Sequence, residues 1–406
     1  MRDCWRGNGL PDPEWRPIPM TEAESRTTEI APWKKLGWVC LYALVGLNIL
    51  FQFFISWPQE SLRDFGTFYE SGRAALDGRN PYEIHEHSYR VTIKHFDGAN
   101  PNLNPPASLL VFAPMSLFEP HMALRVIWWG SLIAFLAVLL TLNRIYRPPG
   151  GHWLVLWAMS MPGLWGTLML GQIYVMLLVA AAAAWILQDR GRLVEAGLLI
   201  GLVAAFKTNF LVWPVLLLIA GHWRTALPAF GSFAVLSILP VLFFGTEVYS
   251  QWIEMIVNDD PARILWVTNM SVIAYASRLG LPWLGMAMAA GILLGLAWWA
   301  LRNRPAGPEV GLVALIASLI ASPVAWIHYA LFLLPPLFST AWTRAMVIGA
   351  ILLATPRIIA DGLFYGPPWM EVTLGSLYIW GLLALALPLC RAILLDEKSP
   401  FRERAT

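Results

Sequence analysis

Charge is what this 406-residue chain has least of: Asp, Glu, Lys and Arg make up 13% of it, against 57% hydrophobic residues. So little polar side chain cannot cover a water-soluble globule of this size, and that class is excluded. Cysteine is nearly absent. Cys4, Cys40 and Cys390 fall in a polar leader and in or at the end of apolar segments. They show neither pairing nor metal-ligand spacing, which argues against a disulfide framework or cysteine chemistry. A net charge of +2, with no basic stripe interleaved with aromatics, gives no case for nucleic acid as a partner. Internal repeats and matched pairs of interrupted helices are missing too, and such symmetry would have favoured a transporter. Residues 1 to 30 are polar, contain Pro and lack an apolar h-region, so no cleavable signal peptide is expected in them.

What the chain has is long apolar runs. Stretches near the ~20 residues that cross about 30 Å of hydrocarbon occupy Leu36 to Trp57, Met122 to Leu142, Thr225 to Phe244, Leu281 to Leu301 and Thr373 to Leu395. Shorter runs, broken by Pro and Gly, fill His152 to Met169, Gln172 to Leu187, Leu193 to Phe206, Phe210 to Ala220, Val310 to Ala321, Trp326 to Phe338 and Trp342 to Ala360. The expected fold is an all-α polytopic membrane protein, a bundle of about 10–12 transmembrane helices with short amphipathic helices in its outer loops. Residues 1–35 read as a flexible leader, 36–395 as the transmembrane domain and 396–406 as a tail. Most Lys and Arg fall in the leader, the tail and alternate short loops, which predicts both termini on the cytoplasmic side of a multi-pass plasma-membrane protein. Two outer loops then remain, 58–106 and 245–280. Tryptophans such as Trp128 and Trp129 read as interface anchors.

The first loop opens with Ser61-Leu-Arg-Asp64-Phe-Gly-Thr-Phe-Tyr69 and runs through Gly78-Arg-Asn-Pro-Tyr82 to Asn104-Pro-Pro106. Phe65, Phe68, Tyr69, Gly72 and Leu76 recur at helical spacing, which predicts an amphipathic helix near the interface, ended by Gly78 and Asn80-Pro81. Asp64 is the first catalytic candidate: an acid at the membrane boundary can remove a proton from an acceptor hydroxyl. The plainer reading is a helix cap, because Ser61 and Asp64 have capping-box spacing.

Lys207 lies in Ala-Ala-Phe-Lys-Thr-Asn-Phe, where an uncompensated ammonium is expensive. It either snorkels to the interface or meets a phosphate. His328, in Ser322-Pro-Val-Ala-Trp326-Ile-His328-Tyr329, is either a hydrogen-bonded structural residue or a phosphate or sugar contact. No second His or acid stands near it at metal spacing. In the second outer loop, Arg263 and Arg278 suit a phosphate partner or a salt bridge to Asp259 or Asp260. Asn269 belongs to the same lobe. Gln172, after Gly171, reads as a turn residue near the outer face.

Taken in order over residues 60 to 330, these segments resemble glycosyltransferase family 87, the bacterial integral-membrane mannosyltransferases of the GT-C class. The resemblance rests on Asp64 to Tyr69, Gly78 to Tyr82, Asn104-Pro-Pro106, Gly171-Gln172, Gly197 to Lys207, Asn269-Met-Ser271 and Ser322 to His328. It implies a hexosyltransferase taking a sugar, usually mannose, from a polyprenyl-phosphate donor on the periplasmic side. The acceptor would be a glycolipid or glycan hydroxyl, and membrane lipids the surroundings. It also implies Asp64 as the base of an inverting displacement, with no metal cofactor. Lys207, His328, Arg263 and Arg278, with Gln172 and Asn269, form the candidate donor-binding set. One departure stands out: Tyr329 occupies the place where the family commonly has a second histidine. A transporter or flippase of lipid-linked sugars is the alternative function, and a polysaccharide ligase is disfavoured by the modest outer loops.

Overall fold

The computed structural model describes residues 32–58, 61–94 and 96–394. The leader up to residue 31, with Cys4, and the tail 396–406 lie outside the described residues. The chain divides into two compact units, Met1–Leu44 and Val45–Thr406. Of the first, the described part is the beginning of one apolar helix, α1 (Pro32–Ser56). All other described elements belong to the second.

Among the described residues, five helices are long and apolar enough to cross a membrane: Leu36–Ser56, Pro120–Tyr146, Trp223–Phe244, Pro282–Asn303 and Pro368–Leu394. They fall on the five long runs expected from hydropathy. Two bent pairs raise the number to seven. Gly151–Ser160 meets Pro162–Leu170 at 44°, and Arg344–Leu353 meets Arg357–Phe364 at 84°. Pro162 and Pro356 stand at the two breaks, where a missing N–H and a restricted preceding residue stop the helix from running through. Six further apolar helices among the described residues have 10–17 residues. At 1.5 Å per residue a 14-residue helix covers only about 21 Å. The expected ten to twelve crossings are therefore reached only by counting these short helices.

Close backbone approach holds the bundle together near the site. A Cβ on Gly197 would stand 2.2 Å from the Thr225 carbonyl oxygen, and one on Gly201 2.1 Å from that of Ala229. Helix Leu193–Phe206 thus lies directly on helix Trp223–Phe244, the small-residue contact that replaces hydrophobic driving force between helices in lipid. That contact fixes the end of the helix from which Lys207 follows.

The first loop carries the expected amphipathic helix, α2 (Arg63–Leu76), which buries Phe65, Phe68 and Tyr69 along with Asp64 and Glu70. Phe68 stacks on Phe112 with ring centres 5.0 Å apart. The same loop also holds two strands absent from the all-helical expectation, β1 (Arg90–Ile93) and β2 (Phe96–Ala99), paired antiparallel with Arg90 opposite Ala99. The β-branched run Val91-Thr92-Ile93 favours a strand, but it is too short to stand out in a polar loop. Thr67 ties the hairpin to α2: its hydroxyl donates to the Asn100 carbonyl (3.0 Å) and accepts from the Tyr89 N–H (3.1 Å). Both ends of the hairpin are therefore anchored within a turn of Asp64. The second loop forms one of the short amphipathic helices expected in the outer loops, at Glu247–Val257, then a 3-10 turn at Pro261–Leu265 and a short helix at Val272–Arg278.

Candidate active site

Asp64 does not cap α2, whose N-terminus has no side-chain cap. Its carboxylate is buried and gripped on both oxygens: Asn100 Nδ2 donates to Oδ1 at 2.8 Å and Gln172 Nε2 to Oδ2 at 2.9 Å. Burial pushes its pKa above the usual carboxylate value, and the two amides and the positive charges of Arg263 and Arg357 oppose that shift. A carboxylate held in place yet made more basic is the combination proton abstraction needs. Gln172 keeps its Oε1 buried and, among the described residues, without a hydrogen-bond partner. Arg63, immediately before Asp64, has φ 50°. Such a left-handed backbone costs a non-glycine residue about 1–3 kcal/mol.

Lys207 lines the same cavity as the carboxylate. Its Nζ donates to Asn104 Oδ1 at 2.6 Å and to the Tyr174 hydroxyl at 3.1 Å, and it lies 4.6 Å from the centre of the Tyr174 ring and 5.7 Å from that of Tyr329. An ammonium has three donors. Lys207 is buried, without an ion-pair partner among the described residues, so one N–H is left for a ligand.

His328 pairs its Nδ1 with the Gly163 carbonyl at 3.0 Å and stacks on Tyr174 at 5.3 Å. A carbonyl only accepts, so Nδ1 carries the hydrogen and Nε2 of the neutral ring is an acceptor. The neutral ring can therefore hold a hydroxyl, whereas a phosphate contact needs the protonated form. Gly166 makes room for this ring, since a Cβ there would come within 2.6 Å of Cε1. Tyr329 packs against the Tyr174 ring at 5.0 Å, so the residue in the second-histidine place supports the site from behind.

Asp64, Gln172, Lys207 and His328 line one cavity together with Asn100, Asn104, Tyr174 and Arg357. Trp266 and Trp326 add flat apolar walls to it. The other three candidates from the sequence do not reach this lining. Arg263 is buried with Nε on Asp259 (2.7 and 3.0 Å), a terminal N–H on Asn100 Oδ1, and its guanidinium over Phe96 at 4.6 Å. Arg278 donates to the backbone carbonyls of Leu265, Trp266 and Asn269 and to the Ser376 hydroxyl. Asn269 donates to the carbonyls of Ile264 and Pro323 and accepts from the N–H groups of Ser271 and Ala325. These residues brace the second loop against the Ser322-to-His328 segment.

Sequence reasoning missed Asn100, Tyr174 and Arg357. Arg357 was findable, because an arginine within the apolar run Trp342 to Ala360 violates the same rule that singled out Lys207. Asn100 and Tyr174 carried no comparable signal. Among the described residues, no three His, Cys, Asp or Glu side chains are grouped as metal ligands.

A fixed buried carboxylate and an ammonium with a free donor in one cavity suit transfer of a group from a phosphate leaving group to a hydroxyl. The sequence profile of Glycosyltransferase family 87 matches residues 102–323, more than half of the chain. The chain belongs to this family. It is a multi-pass membrane glycosyltransferase. The matched stretch holds Asn104, Gln172 and Lys207, and Asp64, His328 and Arg357 flank it. Curated relatives include a polyprenol-phosphate-mannose-dependent alpha-(1-2)-phosphatidylinositol mannoside mannosyltransferase of Mycobacterium tuberculosis, 24% identical over 391 residues, covering 87% of this chain and 90% of the relative. One of the same name from Mycolicibacterium smegmatis is 26% identical over 313 residues (68% and 69%). A polyprenol-phosphate-mannose-dependent alpha-(1-2)-phosphatidylinositol pentamannoside mannosyltransferase of that organism is 25% identical over 345 residues (78% and 82%). No solved structure matches this GT87 chain.

Proposed function

We propose that this glycosyltransferase moves mannose from polyprenol-phosphate mannose to a hydroxyl of a cell-envelope glycolipid or glycan, at the periplasmic face of the bacterial plasma membrane. Inversion at C1, with Asp64 as general base, is part of the same proposal. The donor and the glycolipid acceptor class are supported by what the relatives are named for. The observation that carries the mechanism is the buried Asp64 carboxylate, oriented by Asn100 and Gln172 in the cavity it shares with Lys207.

In the proposed step the acceptor oxygen attacks C1 of the mannosyl group, its proton passes to Asp64, and the bond from C1 to the phosphate oxygen breaks. Polyprenyl phosphate leaves with the electron pair. The new negative charge needs a cation, and Lys207 offers an uncommitted N–H. A phosphate leaves without being protonated, so one carboxylate suffices. The Gln172 Oε1 and His328 Nε2 are acceptors suited to sugar hydroxyls.

The test is transfer of radiolabelled mannose from polyprenyl-phosphate mannose to a membrane lipid extract, with EDTA, by purified wild type and Asp64→Asn. Labelled product from wild type and a loss of about 10²- to 10⁴-fold in the variant are expected. Equal turnover by the variant would end the assignment of Asp64. Absence of product from either, with the donor crossing liposomes that contain the protein, would favour a flippase.

A further inference from the structure

A groove of about 270 Å³ lies between α1, helix Pro162–Leu170 and helix Arg357–Phe364. Its walls are almost wholly apolar: Phe51, Ile55, Trp165, Met169, Pro356 and Ile358. Phe51, Ile55 and Ile358 are also exposed on the outside of the protein, so the groove opens where lipid surrounds the bundle. It is separate from the reaction cavity except at one residue. Arg357 lines both.

The hydrogen bonding of Arg357 suits such a junction. Among the described residues its single partner is Asp361, which takes Nε at 3.2 Å, one turn along the same helix. Anchored there, the guanidinium keeps both terminal amino groups uncommitted, the edge that binds phosphate bidentately. Asp361 is the groove's other charge and balances the arginine until an anion arrives. Continuity with the site is direct, since Gly166 belongs to the groove wall and its Cα faces the His328 ring.

We propose that this groove holds the first isoprene units of the lipid donor, with Arg357 contacting the donor phosphate at the groove's inner end. The inference rests on the donor assignment above and adds where its lipid goes. The order of chemical parts is the argument. A polyprenyl-phosphate sugar runs sugar, phosphate, hydrocarbon; the protein runs Asp64 cavity, Arg357, apolar groove. A glycolipid acceptor lacks that order, because its phosphate is separated from the reacting hydroxyl by the sugars between them. Lys207 and Arg357 then bracket one phosphate from two sides of the cavity lining they share.

The test uses full-length protein in nanodiscs and two mannosyl phosphates, one on a long polyprenyl chain and one on a chain of two isoprene units. Wild type should favour the long chain in kcat/KM. Met169→Trp and Ile358→Trp, which fill the groove from different helices, should each lower the long-to-short ratio by about tenfold. Elution and melting like wild type will show that each is folded. Arg357→Ala should weaken binding of polyprenyl phosphate, measured without turnover, by about 10- to 100-fold, the scale of losing charge-assisted hydrogen bonds. An unchanged chain-length ratio in both tryptophan variants overturns the groove assignment. Equal competition by an ordinary phospholipid against polyprenyl phosphate overturns it as well, leaving a general lipid contact. Failure of the donor assignment reads differently, as no mannose transfer by wild type from either donor.

Discussion

Two sets of cations surround the reaction cavity, and their hydrogen bonds separate them. In the second loop, Arg263 and Arg278 hold carboxylate, amide, hydroxyl and carbonyl oxygens with their donors. Lys207 and Arg357 line the cavity, and among the described residues each keeps donors free. From sequence alone Lys207, Arg263 and Arg278 are all candidate phosphate contacts. The difference teaches that a buried cation is a ligand site only in proportion to what its neighbours have left unpaired. The first set shapes the loops, and the second is available to a substrate.

The sharpest way to break this comparison is at Asp64, on which one cation of each set, Arg263 and Arg357, acts electrostatically. Asp64→Asn should cost about two to four orders of magnitude in transfer while leaving thermal melting near wild type. Next in size, Arg263→Ala leaves Asp259 half-buried without its partner and frees Asn100, so stability should fall by about 3–5 kcal/mol, read as a lowered melting temperature. Little change in melting would show that Arg263 is not the brace described. Lys207→Ala should do the reverse, raising the apparent donor KM by about 10- to 100-fold with a smaller effect on the acceptor. An unchanged donor KM would remove Lys207 from the phosphate site.

A subtler effect concerns pH. Burial raises the Asp64 pKa, so the acid limb of the rate profile should lie above the usual carboxylate range, with activity lost as pH falls through it. Asn100 donates to the ionised form and lowers that pKa. Asn100→Ala should therefore move the limb to higher pH; a limb that stays put would mean that Asp64 is not the titrating base. The smallest effect is expected at an exposed pair far from this machinery. Arg79→Ala, which breaks the contact with Asp77, should change stability by no more than about 1 kcal/mol.

Much of this protein follows from hydropathy and a few local signals. Five long spans and the amphipathic α2 were legible because burial in lipid or at its surface leaves a periodic mark on consecutive residues. Asp64 and Lys207 were legible because charge beside hydrocarbon is costly and so conspicuous. The hairpin was not, since four-residue strands inside a polar loop carry too little pattern. The tertiary structure alone decided that Asp64 is gripped by Asn100 and Gln172, 36 and 108 positions away in the chain. It alone decided that Arg263 belongs to Asp259 and Asn100, and that Arg357 faces the cavity. The physical reason is that a hydrogen bond is satisfied in space: the type of a side chain is written at its position, but whether its donors are free depends on residues brought beside it by the fold.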